Sequence, residues 1–190
     1  PRGNSLAVGS SGRVILWNLE SGAEITTLRQ AGNIRSLNFS GKGRWLATTS
    51  SAGGILVWDM SQDAPALAYQ FLQGNRITSL DFTADERLLA SGGENGYAYL
   101  WDLTAGEERT RLPHNSSVSG VSFSPDGNLL ITVSHKVARV WDVSRLETFE
   151  TARIAESVCK KLQRNFSENE WEFFFPTEEY RLLCPDLPQG

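Results

Sequence analysis

Apolar residues along the first three quarters of the chain come in short clusters, separated by glycine, serine, asparagine and aspartate. Four clusters end in tryptophan followed by Asp or Asn: Val14–Asn18, Ile55–Asp59, Tyr97–Asp102 and Val137–Asp142. Their tryptophans, Trp17, Trp58, Trp101 and Trp141, stand 41, 43 and 40 residues apart. Branched and aromatic residues over about five positions predict strands. A strand is predicted before each cluster, at Leu6–Val8, Leu46–Thr48, Leu88–Ala90 and Leu129–Ile131. Further upstream, three units carry one more, at Ile34/Leu37/Phe39, Ile77/Leu80/Phe82 and Val118/Val121/Phe123. Turn chemistry follows each of these: Ser40–Gly43, Thr83–Glu86 and Ser124–Gly127. A fourth strand is predicted after the tryptophan at Ala23–Leu28, Ala66–Phe71 and Glu107–Leu112. Four short strands in about forty residues is one antiparallel repeat unit.

The stretches LLASGGENGYAYLWDLTAGE and VSGVSFSPDGNLLITVSHKVARVWD resemble WD-repeat β-propeller blades. The resemblance spans roughly residues 5–144. It implies an all-β fold of four-stranded antiparallel blades over residues 1–146, about three and a half of them. The first unit has strands two to four and the fourth only three strands. Trp17, Trp58, Trp101, Trp141, Asp59, Asp102 and Asp142 are then structural residues. The family often ties Trp, a hydroxyl, His and Asp together by hydrogen bonds. Here only His114 matches the His, with Pro113 in place of the preceding Gly, and Ser11, Ala52, Asn95 and His135 replace the Asp. No blade holds the full set, so the blades are expected to rest more on apolar packing. Pro1 is expected to fall partway through a larger propeller, the rival being two copies closing one ring.

After Asp142 the pattern changes to helical spacing. Ala152–Leu162 places Ile154, Val158 and Leu162 four residues apart. Ser167 and Glu170 form a capping box, and Phe166 and Trp171 have the spacing of a hydrophobic staple. A short helix from Glu168 ends before Pro176. Residues 147–190 are therefore expected to form a helical extension that caps an end blade. This tail is similar to a C-terminal extension of bacterial multi-domain WD-repeat proteins. That likeness implies a cytoplasmic signalling chain with an upstream STAND-type ATPase, kinase, caspase-like protease or TIR domain as a partner in the same polypeptide.

Charge narrows the choice of partners. The 18 Lys/Arg and 22 Asp/Glu give a net charge of −4, the reverse of a general nucleic-acid binder. Residues 145–190 carry −3 of it. No apolar run approaches the ~18 residues of a membrane-spanning helix, and no signal-peptide pattern opens the chain. Cys159 and Cys184 either pair across the tail or pack as small apolar side chains, and a reducing compartment favours free thiols.

Catalytic patterns are missing. There is no phosphate loop, nucleophile elbow or H-E-x-x-H, and Gly92–Gly96 lies between two strands. Two histidines are too few and too far apart for a zinc site. No carboxylate pair recurs on the inner strand. No catalytic, cofactor or metal site is therefore predicted. The sequence points to a non-enzymatic module for a protein or peptide partner, with the sensor end of a larger enzyme as the alternative. If the blades follow the family arrangement, the loops from fourth to first strand and from second to third share one face. Candidate contact residues there are Arg29, Gln30, Asn33, Gln73, Asn75, Arg76, Glu94, Asn95, His114, Asn115, His135 and Lys136.

Overall fold

The computed structural model describes residues 4–144 apart from 63 and 136, all within a unit that spans Pro1–Leu146. The helical tail predicted from the sequence, with Ser167, Glu170, Trp171 and both cysteines, lies outside the described residues, as does Lys136. Twelve strands and no helix make up the described chain: β1 (Ser5–Asn18), β2 (Glu24–Phe39), β3 (Trp45–Ser50), β4 (Gly54–Asp59), β5 (Ala66–Leu72), β6 (Ile77–Phe82), β7 (Leu88–Gly93), β8 (Tyr97–Asp102), β9 (Glu107–Pro113), β10 (Val118–Phe123), β11 (Leu129–Ser134) and β12 (Val137–Asp142). All pairings are antiparallel between chain neighbours, in sheets of five, four and three strands.

The five-stranded sheet holds two repeat units. β2 serves both: Glu24–Arg29 pair with Arg13–Trp17 of β1, and Ile34–Phe39 pair with β3. Gly32, at φ +84°, stands between the halves. β1 is itself a hairpin. The Leu19 N–H donates to the Asn4 carbonyl at 2.8 Å, whereas a straight strand of that length would hold them about 45 Å apart. Gly12, at φ +71°, marks the turn. Its arms are the separate strands that the sequence predicts at Leu6–Val8 and Val14–Trp17. Met60 to Arg44, Leu103 to Arg87 and Val143 to Asn128 close the other hairpins in the same way. Blade 1 thus comprises β1 and the first half of β2. Blade 2 comprises the second half of β2 with β3–β5, blade 3 β6–β9 and blade 4 β10–β12.

Each blade buries its side chains against the next one. One apolar cluster joins Val14, Leu16 and Leu28 of blade 1 to Leu46 and Trp58 of blade 2. A second joins Ile55, Val57 and Phe71 of blade 2 to Leu89, Tyr99 and Trp101 of blade 3. A third joins Leu88, Ala98, Leu100 and Leu112 to Val118, Val121 and Leu130 of blade 4. In the second seam Phe71 stacks on Trp101 with centroids 4.6 Å apart. The first strands of neighbouring blades are also tied by hydrogen bonds. Asn38 Nδ2 donates to the Leu80 carbonyl at 3.1 Å, and Asp81 Oδ2 accepts from the Phe123 N–H at 2.7 Å.

Candidate functional site

The residues between the fourth strand of one blade and the first of the next lie beside the hairpin tips between second and third strands. A Cβ on Gly53 would meet the Asn75 backbone at 3.2 Å, and one on Gly96 would meet the His114 carbonyl oxygen at 3.0 Å. Asn33 is held by Ser51, whose hydroxyl accepts from the Asn33 N–H at 2.9 Å and whose N–H donates to the Asn33 carbonyl at 2.8 Å. The two loop sets therefore share one face.

Asn75, Arg76, Glu94 and Asn95 come together on it. The Arg76 guanidinium pairs with Glu94 Oε1 at 3.0 Å, and the Glu94 N–H donates to the Arg76 carbonyl at 3.0 Å. Asn95 Nδ2 donates to the Tyr99 hydroxyl at 2.7 Å. Gly93 forms the floor: a Cβ there would lie 2.4 Å from Gln73 Nε2, 2.6 Å from Asn75 Oδ1 and 2.7 Å from Asn95 Oδ1. Only glycine lets these three polar atoms close in. Gln73 Nε2 and Asn75 Oδ1 have no hydrogen-bond partner among the described protein groups. Arg29, Asn33, Asn115 and His135 are exposed, and His135 takes the left-handed conformation at φ +51°.

Three of the expected contact residues are turned inward. Gln30 and Gln73 are buried, at 7% and 6% exposure, and His114 is half-buried. They belong to hydrogen-bonded chains that run to the tryptophans. Trp101 Nε1–H donates to Ser91 Oγ at 2.8 Å, and the Ser91 hydroxyl donates to Gln73 Oε1 at 2.7 Å. In blade 4, Trp141 Nε1–H donates to Thr132 Oγ1 at 2.8 Å, which lies 2.7 Å from His114 Nε2. His114 Nδ1 lies 3.0 Å from the Leu112 carbonyl, which can only accept, so Nδ1 carries the proton and Nε2 accepts from Thr132. In blade 2, Trp58 Nε1–H reaches Thr48 Oγ1 at 3.1 Å, and Gln30 Nε2 reaches the Thr48 carbonyl at 3.3 Å. The Asp of the family's set is missing, as the sequence shows. The other three groups still assemble in two blades, with Gln73 standing for His in blade 3, so packing is not the blades' only support.

Burial is the largest influence on His114 and lowers its pKa, as does the charge of Arg139, against the opposing hydrogen bond to Leu112. The residues after each tryptophan have a plainer role. Asn18, Asp59 and Asp102 each accept from backbone N–H groups two or three residues on, which closes the turn to the fourth strand, and Asp142 accepts from the Ser144 N–H in the same way. Among the described residues no cluster of metal-ligating side chains occurs, and no helix is long and apolar enough to cross a membrane.

Against known families, the model of the WD domain, G-beta repeat, matches residues 22–59, 68–102 and 106–142, together more than half of the chain. The chain belongs to this WD-repeat family. Comparison with curated proteins found no match. Repeats of the family generally mediate protein–protein interaction.

Proposed function

We propose that the chain is a non-enzymatic scaffold that binds a protein or peptide on the face formed by the fourth-to-first-strand loops and the hairpin tips. The observation that carries this reading is the exposed Arg76–Glu94 pair on that face, with exposed Asn95 next in the chain, since the pair is free to exchange its ionic partner at little cost. His114, Asn115 and His135 fall in the neighbouring loops of the same face, and Arg29 and Asn33 in the part of β2 that links blades 1 and 2. The likeness of residues 147–190 to bacterial C-terminal extensions supports a cytoplasmic signalling chain, in which the scaffold regulates an enzyme of the same polypeptide.

The test is a photo-crosslinking side chain at Asn115, used in source cells, with the captured partner identified by mass spectrometry. Charge reversal at Arg29→Glu with Arg76→Glu is expected to abolish capture while the melting temperature stays the same. Equal capture by the reversed variant contradicts the assignment of this face.

A further inference from the structure

The opposite edge of the blades carries a second feature that the loop face does not explain. The turns between first and second strands are built alike: Gly43 N–H donates to Ser40, Glu86 N–H to Thr83 and Gly127 N–H to Ser124, all to the carbonyl at 2.9 Å. Gly43 and Gly127 have φ of +79° and +73°. Glu86 occupies the same position at φ +67°, a conformation that costs a non-glycine residue about 1 kcal/mol. Its side chain offsets that strain by reaching into the turn of blade 2. There Glu86 Oε1 accepts from the Ser40 hydroxyl at 2.5 Å, the Lys42 N–H at 2.9 Å and the Arg44 N–H at 3.4 Å. Its carbonyl accepts from the Trp45 indole N–H at 3.3 Å.

This latch walls a cleft of about 290 Å³ between blades 2 and 3, lined by Arg44, Trp45, Tyr69, Glu86, Arg87 and Leu103 among others. Trp45 and Tyr69 form its aromatic floor, with centroids 5.7 Å apart. Both rings have their polar atoms engaged, Tyr69 through a 2.5 Å bond to the Leu103 carbonyl. Trp45 is buried and Tyr69 half-buried, so Tyr69 supplies more of the apolar surface open to an occupant. Arg44 and Arg87 hold equivalent repeat positions, the residue after the turn, where blade 4 has Asn128 and blade 1 has Asn4. Only the two blades that border the cleft place a cation there.

The charge balance of the mouth follows from which groups are engaged. The carboxylate of Glu86 is buried and engaged as above. Asp85 accepts from the Thr83 hydroxyl at 2.6 Å and from the Arg87 N–H at 3.0 Å. Burial opposes its charge, but these bonds and the charges of Arg87 and Lys42 hold its carboxyl below the usual range. Lys42, Arg44 and Arg87 are exposed. The Arg44 guanidinium lies 4.3 Å from the Trp45 ring centroid, and its ion pair with Asp59 is long, at 3.9 Å. Arg87 makes no ion pair among the described residues. Glu86 is spent inward, Asp85 is exposed but held by Thr83 and the Arg87 N–H, and the three cations Lys42, Arg44 and Arg87 face out.

We propose that this cleft is a second partner site, which takes an acidic segment of a protein, with Arg44 and Arg87 holding its carboxylate above the Trp45–Tyr69 floor. Planar guanidinium groups match a carboxylate in two-pronged fashion. The volume suits one side chain and its adjoining backbone rather than a cofactor. The site is independent of the loop face, from which it differs in residues and in chemistry.

The probe is a fluorescein-labelled heptaglutamate peptide, with heptaglutamine as its uncharged control, titrated into the 190-residue chain at low salt. The glutamate peptide is expected to bind and to shift the Trp45 indole N–H resonance, while the glutamine peptide does neither. Arg44→Glu with Arg87→Glu should weaken binding at least tenfold. Arg44→Gln with Arg87→Gln, which removes the charge without adding repulsion, should also weaken it. Equal binding of both peptides overturns the proposal, as does an unmoved Trp45 resonance. So does a loss caused by Arg29→Glu with Arg76→Glu but not by the cleft variants, which would place the acid on the loop face. Competition by millimolar inorganic phosphate as strong as that by unlabelled peptide would reduce the cleft to a simple anion site and overturn the peptide reading.

Discussion

Blades 3 and 4 carry nearly the same pattern but live in different surroundings. Every residue of β7 is buried, whereas in β11 exposed and buried residues alternate. Blade 3 has a neighbour on both faces. Blade 4 has blade 3 on one face, so Leu130, Thr132 and Ser134 are covered while Leu129, Ile131 and Val133 are exposed. The same holds in the third strand: Leu100 is fully buried, and Val140 at the equivalent position is 63% exposed. Blade 1 mirrors this at its other face, where Leu6, Val8 and Leu19 are exposed. An apolar residue on a blade therefore stabilises the fold only to the extent that an adjoining blade covers it. Stability in such an array is largely a sum over seams.

The comparison breaks most sharply at that matched pair. Leu100→Ala should cost about 3 kcal/mol in denaturant unfolding, since it empties a filled seam. Val140→Ala should stay within about 0.5 kcal/mol. Equal losses would mean that burial by a neighbour is not what separates the two blades. The polar chains come next. Ser91→Ala strands the Trp101 indole N–H and Gln73 Oε1 together and should cost about 2 kcal/mol, read from the same unfolding curves.

The Glu86 latch sharpens the seam between blades 2 and 3. Glu86→Ala loses the three bonds to blade 2 and keeps the strained backbone, so it should destabilise by about 1–2 kcal/mol. Glu86→Gly loses the same bonds but relieves the strain, and should be more stable than the alanine variant by up to about 1 kcal/mol. An alanine variant as stable as the glycine variant would show that the positive φ stores no strain.

The smallest effect concerns pH. His114 is held neutral in the folded chain, with its pKa below that of a free histidine. Its contribution is fully present above the unfolded pKa of about 6.5 and is lost as pH falls below it toward the folded value, because the unfolded chain takes up the proton first. The melting temperature should therefore drop on acidification in this window. His114→Gln, which copies the residue at position 73, should flatten that part of the profile. An unchanged pH profile in this variant would remove His114 as the cause.

Much of the fold was readable because strand, turn and tryptophan recur together. The third and fourth strands were placed within a residue or so, since branched residues and the Trp-Asp pair mark their ends. The continuous β2 was not foreseen. The link Gln30–Asn33 is as long as Gln73–Arg76 and His114–Ser117, so its length gives no sign that one strand runs on between blades. The contact residues were less legible. Gln30 and Gln73 look like surface amides, because a polar residue in a loop gives no sign of which way it turns. A signal was nevertheless present. Gln30 and Thr48, Gln73 and Ser91, and His114 and Thr132 are all separated by 18 residues, and a tryptophan follows after nine or ten more. Reading that spacing with Gln admitted in place of His would have assigned all three inward. The latch had a trace too: Glu86 stands where the other turns place glycine, but the bonds that compensate it come from another blade and cannot be read locally.

Native-state hydrogen exchange of the chain tests the seam account most directly, by comparing amide protection in β7 and β11. Both strands are hydrogen-bonded on two sides, so local bonding does not separate them. If seams set stability, β11 opens with blade 4 at a lower free energy, and its amides exchange at least tenfold faster than those of β7. Equal exchange in the two strands would contradict the account.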